Sequence, residues 1–301
     1  MPGLAPVVLF VYNRPDHTRR TLAALAANPQ AIDSDLIVYA DGPKKPEHAA
    51  TVQQARAVAR AATGFRSVTM IERDRNLGLA NSIMGGVSEV LAAHDRVIVV
   101  EDDLLVAPEF LDFLNAGLQR YANDPSVMQI SAYSYPAHDR SAPEAFFLPM
   151  ISCWGWATWA TAWSRFDASM SRLAALDSDA EMRYRFNIDG AYDYYGMACQ
   201  QRMGKIDSWG VRWQLSLFAN DGLVIYPRES LVTNSGVDAS GTHGAGHAAF
   251  QRKLQNKRLN LDELVWPSSV ATDAVAMSQV RQLLLANRPG IFRRIIERIR
   301  S

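Results

Sequence analysis

The stretch RVIVVEDDLLVAPEF, Arg96 to Phe110, carries an unbroken β-branched apolar run into three adjacent carboxylates, Glu101, Asp102 and Asp103. Val and Ile without polar alternation indicate a strand buried on both faces, as in a parallel sheet covered by helices. Pro108 then opens a helical pattern. Neighbouring acids repel one another, and Glu101 directly follows a segment that should be buried. Such a cluster calls for positive charge. Side chains alternate along a strand, so Glu101 and Asp103 are expected to point one way and Asp102 the other.

Upstream and downstream the same texture repeats. Strand-like runs occupy 6–12, 35–41, 67–73, 96–102 and 127–133, with helix-like runs at 16–28, 47–62, 78–93 and 109–122. Repeated strand–helix–strand units predict an α/β fold of Rossmann-like type, a doubly wound and mostly parallel sheet. After residue 135 aromatics crowd in and the rhythm is lost. GLVIYPRESLVTNSG (222–236) reads as a strand pair, and 272–300 as helical. The expected organisation is one compact unit with a nucleotide-like front half (1–135), an irregular back half of the same domain (136–270) and a helical tail (271–301).

In open parallel sheets ligands bind beyond the carboxyl ends of the strands. The residues after the first four strands are Asn13, Arg14 and Pro15; Asp41, Gly42 and Pro43; Arg73, Asp74, Arg75 and Asn76; and the acid triplet. Arginines, amides, a glycine-flanked acid and three carboxylates on one edge suit a phosphate-bearing ligand and a divalent cation. Hard cations such as Mg²⁺ or Mn²⁺ take oxygen ligands, with only one or two from protein carboxylates. A cation there would neutralise a diphosphate leaving group. Acids at strand ends also serve as solvated turn residues. Their place beside the other polar groups favours the cation.

Composition excludes several classes. The 301 residues carry 31 basic and 31 acidic side chains, so no overall charge points to nucleic acid. Two cysteines, Cys153 and Cys199, form neither a disulfide framework nor a zinc site, and a reducing, cytoplasmic setting is expected. The N-terminus lacks a basic region and cleavage site, and no apolar run approaches the roughly 18 residues of a spanning helix.

VVEDDLLVAPEF resembles the acid motif of GT-A glycosyltransferases, close to its form in N-acetylglucosaminyltransferase I. LFVYNRPDHTRRTL, YADGP, RNLGLANSI, CWGWATWATAW, IDSWGVRWQ and LVTNSGVDASGTH extend a resemblance to bacterial family-two-like sugar transferases over about residues 6–245. The resemblance implies that Asn13 and Arg14 line a nucleotide pocket, Asp41 meets base or ribose, and Arg75 and Asn81 approach ribose or diphosphate. It implies that Asp102 contacts ribose or sugar hydroxyls, that Asp103 binds Mn²⁺ or Mg²⁺, and that His243 completes the metal shell. His243 in its Gly-rich loop also reads as a solvated loop residue.

CWGWATWATAW holds four of the seven tryptophans. Trp156, Trp159 and Trp163 fall at helical spacing and are expected to form one packed stripe. Indole faces stack on sugar C–H faces, so Trp154 or Trp156 could floor a sugar subsite, and Gly155 would admit a close backbone approach to the donor. The family pattern supports Trp154 and Gly155. An inverting transferase needs a base for the acceptor hydroxyl. Asp207 in GKIDSWGVRWQ is the candidate, and helix N-capping is its rival role. Asp193 and Asp238 stand in reserve. Many relatives carry an acid after that tryptophan, where this chain has Gly210. Arg212 could bind phosphate or lie on a helix surface.

The terminal RPGIFRRIIERIRS places Ile291, Phe292, Ile295, Ile296 and Ile299 on one helical face and most arginines elsewhere. Such a helix can lie on an anionic membrane surface, which would put the protein at the inner face of the cell membrane, or dock on its own domain. The reading is a metal-dependent, inverting hexosyl- or hexosaminyltransferase moving sugar from a nucleotide diphosphate, expected to be UDP, to a glycan or lipid-linked glycan. The rivals are an inactive carbohydrate-binding partner protein and a sugar-1-phosphate nucleotidyltransferase. The second expects a Gly-rich basic loop after the first strand, where this chain has NRPD.

Overall fold

A computed structural model describes residues 3–135, 144–236, 250–251, 254 and 264–288. The front half follows the expected alternation. Strands β1 (Val7–Val11), β2 (Asp35–Ala40), β3 (Ser67–Glu72) and β4 (Arg96–Glu101) alternate with helices α1 (Pro15–Ala26), α2 (Ala49–Arg60) and α3 (Leu79–Leu91). Beyond them lie β5 (Leu104–Val106), α4 (Phe110–Arg120) and β6 (Val127–Ser131). Pro15 at the first helical position and Asp16 in the first turn start α1 directly after β1. Strands β1 and β6 are buried along their whole length and β4 up to Glu101, as their Val- and Ile-rich sequences require. Strand β3 departs from the expected two-sided burial: it is the sheet edge, and its residues are half-buried or exposed.

Later strands join the same sheet. They are β7 (Ala145–Leu148), β8 (Trp156–Trp159) and β9 (Leu223–Pro227), giving the order β3-β2-β1-β4-β8-β6-β9-β7. Pairing is parallel except where β8 meets β4 and β6 and where β7 meets β9. The sheet is therefore mostly parallel, with strands from both halves of the chain.

Two expectations are corrected here. The tryptophan run is not one helical stripe: Trp156–Trp159 is strand β8, and only Ala160–Trp163 is helical (α5). Period-two alternation sends its indoles to opposite faces of the sheet. Trp156 stacks on Trp209 with ring centres 5.0 Å apart, whereas Trp159 Nε1 donates to Leu118 O of α4 at 3.1 Å. The 222–236 segment does hold two strands, but they do not pair with each other. Its first strand, β9, pairs with β6 and β7. Its second, β10 (Val232–Asn234), leaves to pair antiparallel with β5, directly after the acids.

A small helical layer fills the rest: α6 (Leu173–Ser178), α7 (Ala180–Phe186), α8 (Tyr194–Arg202) and α9 (Trp209–Ala219). It has its own core of Met170, Leu173, Leu176, Phe186, Ala198, Val211 and Leu215. The expected helix at 272–300 is described as α10 (Ala274–Ala286); the amphipathic tail from 289 onward lies outside the described residues. Among the described residues no helix is long and apolar enough to cross a membrane.

Candidate active site

The parallel sheet brings the ends of β1, β2 and β4 side by side, and the charged groups converge there. Strand β4 stops at Glu101, and Asp102 and Asp103 form a turn. The expected alternation of the acids therefore fails: a turn breaks the pleat, and both aspartates reach the same guanidinium. Arg14 Nη2 donates to Asp102 Oδ1 at 2.7 Å and to Asp103 Oδ2 at 3.0 Å. Tyr12 N donates to Asp102 Oδ2 at 3.3 Å, and Thr21 Oγ1 to the Asp102 carbonyl at 2.8 Å. Asn13, between these two β1-end residues, is half-buried.

Strand β10 closes the turn from the other side. Ser235 N and Oγ donate to Asp103 O at 2.7 and 2.9 Å. Gly236 follows, and a Cβ there would stand 2.4 Å from Asp103 Oδ2 and 2.9 Å from Arg14 Nη1. No larger residue fits without displacing the pair.

The electrostatics are unbalanced. Burial, reinforced by Asp103 and Asp102, pushes Glu101 up to about 8. Burial likewise raises Asp102 to about 6 against the pull of Arg14. Burial works against the Arg14 charge, yet Asp102 and Asp103 together hold its pKa above the ordinary value. One guanidinium faces three carboxylates, and uncompensated buried charge is costly. Asp103 Oδ1 is moreover buried without a hydrogen-bond partner among the described residues. An orphaned carboxylate oxygen in an under-compensated acid cluster fits a divalent cation. No group of three metal-ligating side chains forms among the described residues. Mg²⁺ or Mn²⁺ ordinarily takes most of its oxygens from phosphate and water. His243, the expected further ligand, lies outside the described residues, as does Asp238.

A second corner lies between the β2 and β3 ends. Asp41, 7% exposed, accepts from Leu77 N at 3.1 and 3.0 Å and from Gly78 N at 3.1 Å. Its carboxylate thus holds the loop before α3. Gly42 N donates to Arg75 O at 3.2 Å, and Asn76 Nδ2 returns to Gly42 O at 3.1 Å. An open cleft of about 460 Å³ results, lined by Pro43, Lys44, Arg75, Asn76, Leu77 and Gly78. The Arg75 side chain is exposed at it, while Asn81 caps back onto Leu77 O at 3.0 Å.

Sequence reasoning missed the link between the corners. The Tyr12 hydroxyl lies 2.6 Å from His48 Nδ1 and accepts from Lys44 N at 2.9 Å, while Tyr12 N holds Asp102. Its position at the end of a buried strand, next to Asn13, was the available signal. Arg56 was also unread: its Nη2 donates to the carbonyls of Ala40, Asp41 and Arg73, tying the strand ends together.

The aromatic segment completes the neighbourhood. Trp154 is half-buried, edge-on to Tyr133 with ring centres 5.1 Å apart. Gly155 has φ +62°, a region that favours glycine, and a Cβ would stand 2.7 Å from the Phe110 ring. Its close approach is to Phe110 of α4. Trp156 is fully buried and belongs to the core.

Asp207 is half-exposed and pairs with Arg212 at 3.3 Å. It does not cap α9: Ser208 does, accepting from Val211 N at 3.3 Å. The Arg212 side chain is largely covered and lies against Met84 of α3, so it is no free surface arginine. Asp193 caps α8 through Gly196 N at 3.0 Å. At Gly210 a Cβ would meet Cys153 Sγ at 3.0 Å. Burial raises the Cys153 thiol pKa, and the Glu101 charge adds to this. The start of α9 therefore lies against Cys153, in the segment that carries Trp154.

Residues 7–167, just over half of the chain, match the model of Glycosyl transferase family 2, and the chain belongs to that family. Its mixed α/β fold, with a large and mostly parallel central sheet, is the GT-A arrangement. No curated protein matches. Among solved structures, S. aureus TarS is 14% identical with a TM-score of 0.31, over 50% of this chain and 25% of TarS. Mouse xyloside xylosyltransferase 1, apo form, is 11% identical with a TM-score of 0.38, over 73% of this chain and 82% of that one. Glucosyl-3-phosphoglycerate synthase from Mycobacterium tuberculosis, solved with Mn²⁺, UDP-glucose and phosphoglyceric acid, is 16% identical with a TM-score of 0.32, over 53% and 57%. The chain thus spans a quarter of TarS and just over half of the synthase.

Proposed function

We propose that this protein transfers a hexosyl or hexosaminyl group from a nucleotide-diphosphate donor, a UDP-sugar, to a glycan or lipid-linked glycan, with inversion. The observation that carries this reading is the buried acid turn, answered among the described residues by a single guanidinium and leaving Asp103 Oδ1 unpartnered there. Asp103 would hold Mn²⁺ or Mg²⁺, and His243 is kept as its proposed partner. The cation would supply charge neutralisation to the departing diphosphate.

The chain's own groups account for the rest. The cleft at Lys44, Arg75 and Asn76 receives the nucleotide, with Asp41 holding its loop, while Asn13 would help line the nucleotide pocket and Asn81 would approach ribose or diphosphate. Arg14 pairs with diphosphate oxygens, and Asp102 accepts from ribose or sugar hydroxyls. Trp154 stacks on the sugar, beside a backbone fixed at Gly155. Asp207 takes the proton from the acceptor hydroxyl as its oxygen attacks C1 and the C1–O bond to diphosphate breaks. The basic tail is proposed to bring the enzyme to the inner face of the cell membrane.

A thermal-shift panel of nucleoside diphosphates, each with and without Mn²⁺, tests the reading. A rise in Tm selective for one nucleotide and dependent on metal is expected; no rise with any pairing overturns it. Asp207→Asn is expected to lower kcat by roughly 10²–10⁴-fold, the usual worth of a general base, with nucleotide affinity unchanged. Unchanged kcat removes Asp207 from the mechanism. Trp154→Ala should lower kcat/KM for the donor roughly tenfold, in line with the loss of one ring stack, with some loss of stability as well because the half-buried ring also packs against the core. Donor kinetics beside a denaturation curve separate the two effects.

A further inference from the structure

Arg14 is bound in a way that plain charge pairing does not require. One nitrogen, Nη2, serves both aspartates, at 2.7 and 3.0 Å, while Nη1 is buried with no partner among the described residues. Asp103 shows the same half-use, with Oδ2 engaged and Oδ1 buried and unpartnered among the described residues. Gly236 packs so closely that even a methyl group would collide with both Asp103 Oδ2 and Arg14 Nη1. The guanidinium therefore sits on the carboxylate that a cation would need, in a pocket without spare room. Two positive centres on one buried carboxylate repel strongly. A guanidinium that leaves Asp103 keeps Asp102 as an anchor and can offer its unused Nη1 to an anion.

We propose that Arg14 is a built-in counter-ion that competes with the divalent cation for Asp103 and passes to the donor diphosphate when the cation enters. Cation and nucleotide then bind as a coupled pair: each is weak alone, and each strengthens the other by the same factor. This rests on the reading of the site given above, and it assigns Arg14 the coupling rather than affinity alone. Arginine suits the task because its planar fork serves two acceptors at once, whereas lysine is a point charge.

The test measures Mn²⁺ binding by electron paramagnetic resonance, with the metal alone and with UDP, in wild type, Arg14→Met and Arg14→Lys. Removing a competing charge at contact range should make Arg14→Met bind Mn²⁺ alone roughly tenfold more tightly than wild type. The gain on adding UDP, large in wild type, should shrink in Arg14→Met. Arg14→Lys should fall between the two, which keeps the test intact if the methionine variant folds poorly. Mn²⁺ alone should also raise the Tm of Arg14→Met more than that of wild type. Asp103→Asn in either background should abolish these effects.

Arg14 variants that bind Mn²⁺ alone no more tightly than wild type overturn the coupling. Wild type that binds no Mn²⁺ even with UDP, or other diphosphates, instead sinks the functional reading itself. The two failures are distinguishable.

Discussion

Asp103→Asn is expected to abolish sugar transfer, by roughly 10³-fold or more, while leaving the metal-free protein at least as stable as wild type. The first half follows from losing the oxygen that would anchor charge neutralisation at the leaving diphosphate. The second follows from the acid turn itself. Asn removes one of three crowded carboxylates and leaves Arg14 paired with Asp102 at 2.7 Å, so the repulsion falls and no guanidinium is orphaned. The backbone clamp from Ser235 acts on the Asp103 carbonyl and is untouched. Radiolabelled donor turnover over a metal titration, beside a denaturation curve, checks both halves. A variant that keeps metal-dependent turnover would show that the cation is held elsewhere.

Trp156→Ala is the largest expected effect on folding, about 3–5 kcal/mol by the usual cost of truncating a buried Trp. The indole is fully buried, stacked on Trp209 with Trp163 tilted beside it, and sits on β8 between β4 and β6. Its removal opens a cavity where the sheet meets α9. The folded fraction should keep its nucleotide affinity, because the ring faces the core. Urea unfolding with a nucleotide titration checks this. Near-normal stability with weakened donor binding would return Trp156 to the sugar subsite.

The acid turn shows where sequence reading stops. That the acids Glu101, Asp102 and Asp103 follow a buried strand was legible from Arg96–Phe110 alone, because burial on both faces leaves an unbroken apolar imprint on local sequence. That both aspartates meet Arg14 was not, since it depends on where the strand ends and how the turn is wound. The tryptophan run shows the opposite failure. Its helical spacing was real, yet β8 forms there because the gap between β4 and β6 offers two strand edges, and those hydrogen bonds outweigh local periodicity. Tyr12 and Arg56 escaped notice because their contacts are with backbone and side chains far along the chain.

By itself the sequence determined an alternating α/β front half and the set of polar groups at its carboxyl edge. Strand and helix preferences are read within a few residues, and parallel topology sends every strand end to the same side. Only the tertiary structure decided what those groups do to one another. It carried β10 from the far side of the sheet onto β5, set Gly236 against Asp103 and Arg14, and gave one guanidinium to two carboxylates. Those contacts join residues dozens to more than a hundred positions apart, and local periodicity holds no record of such pairings.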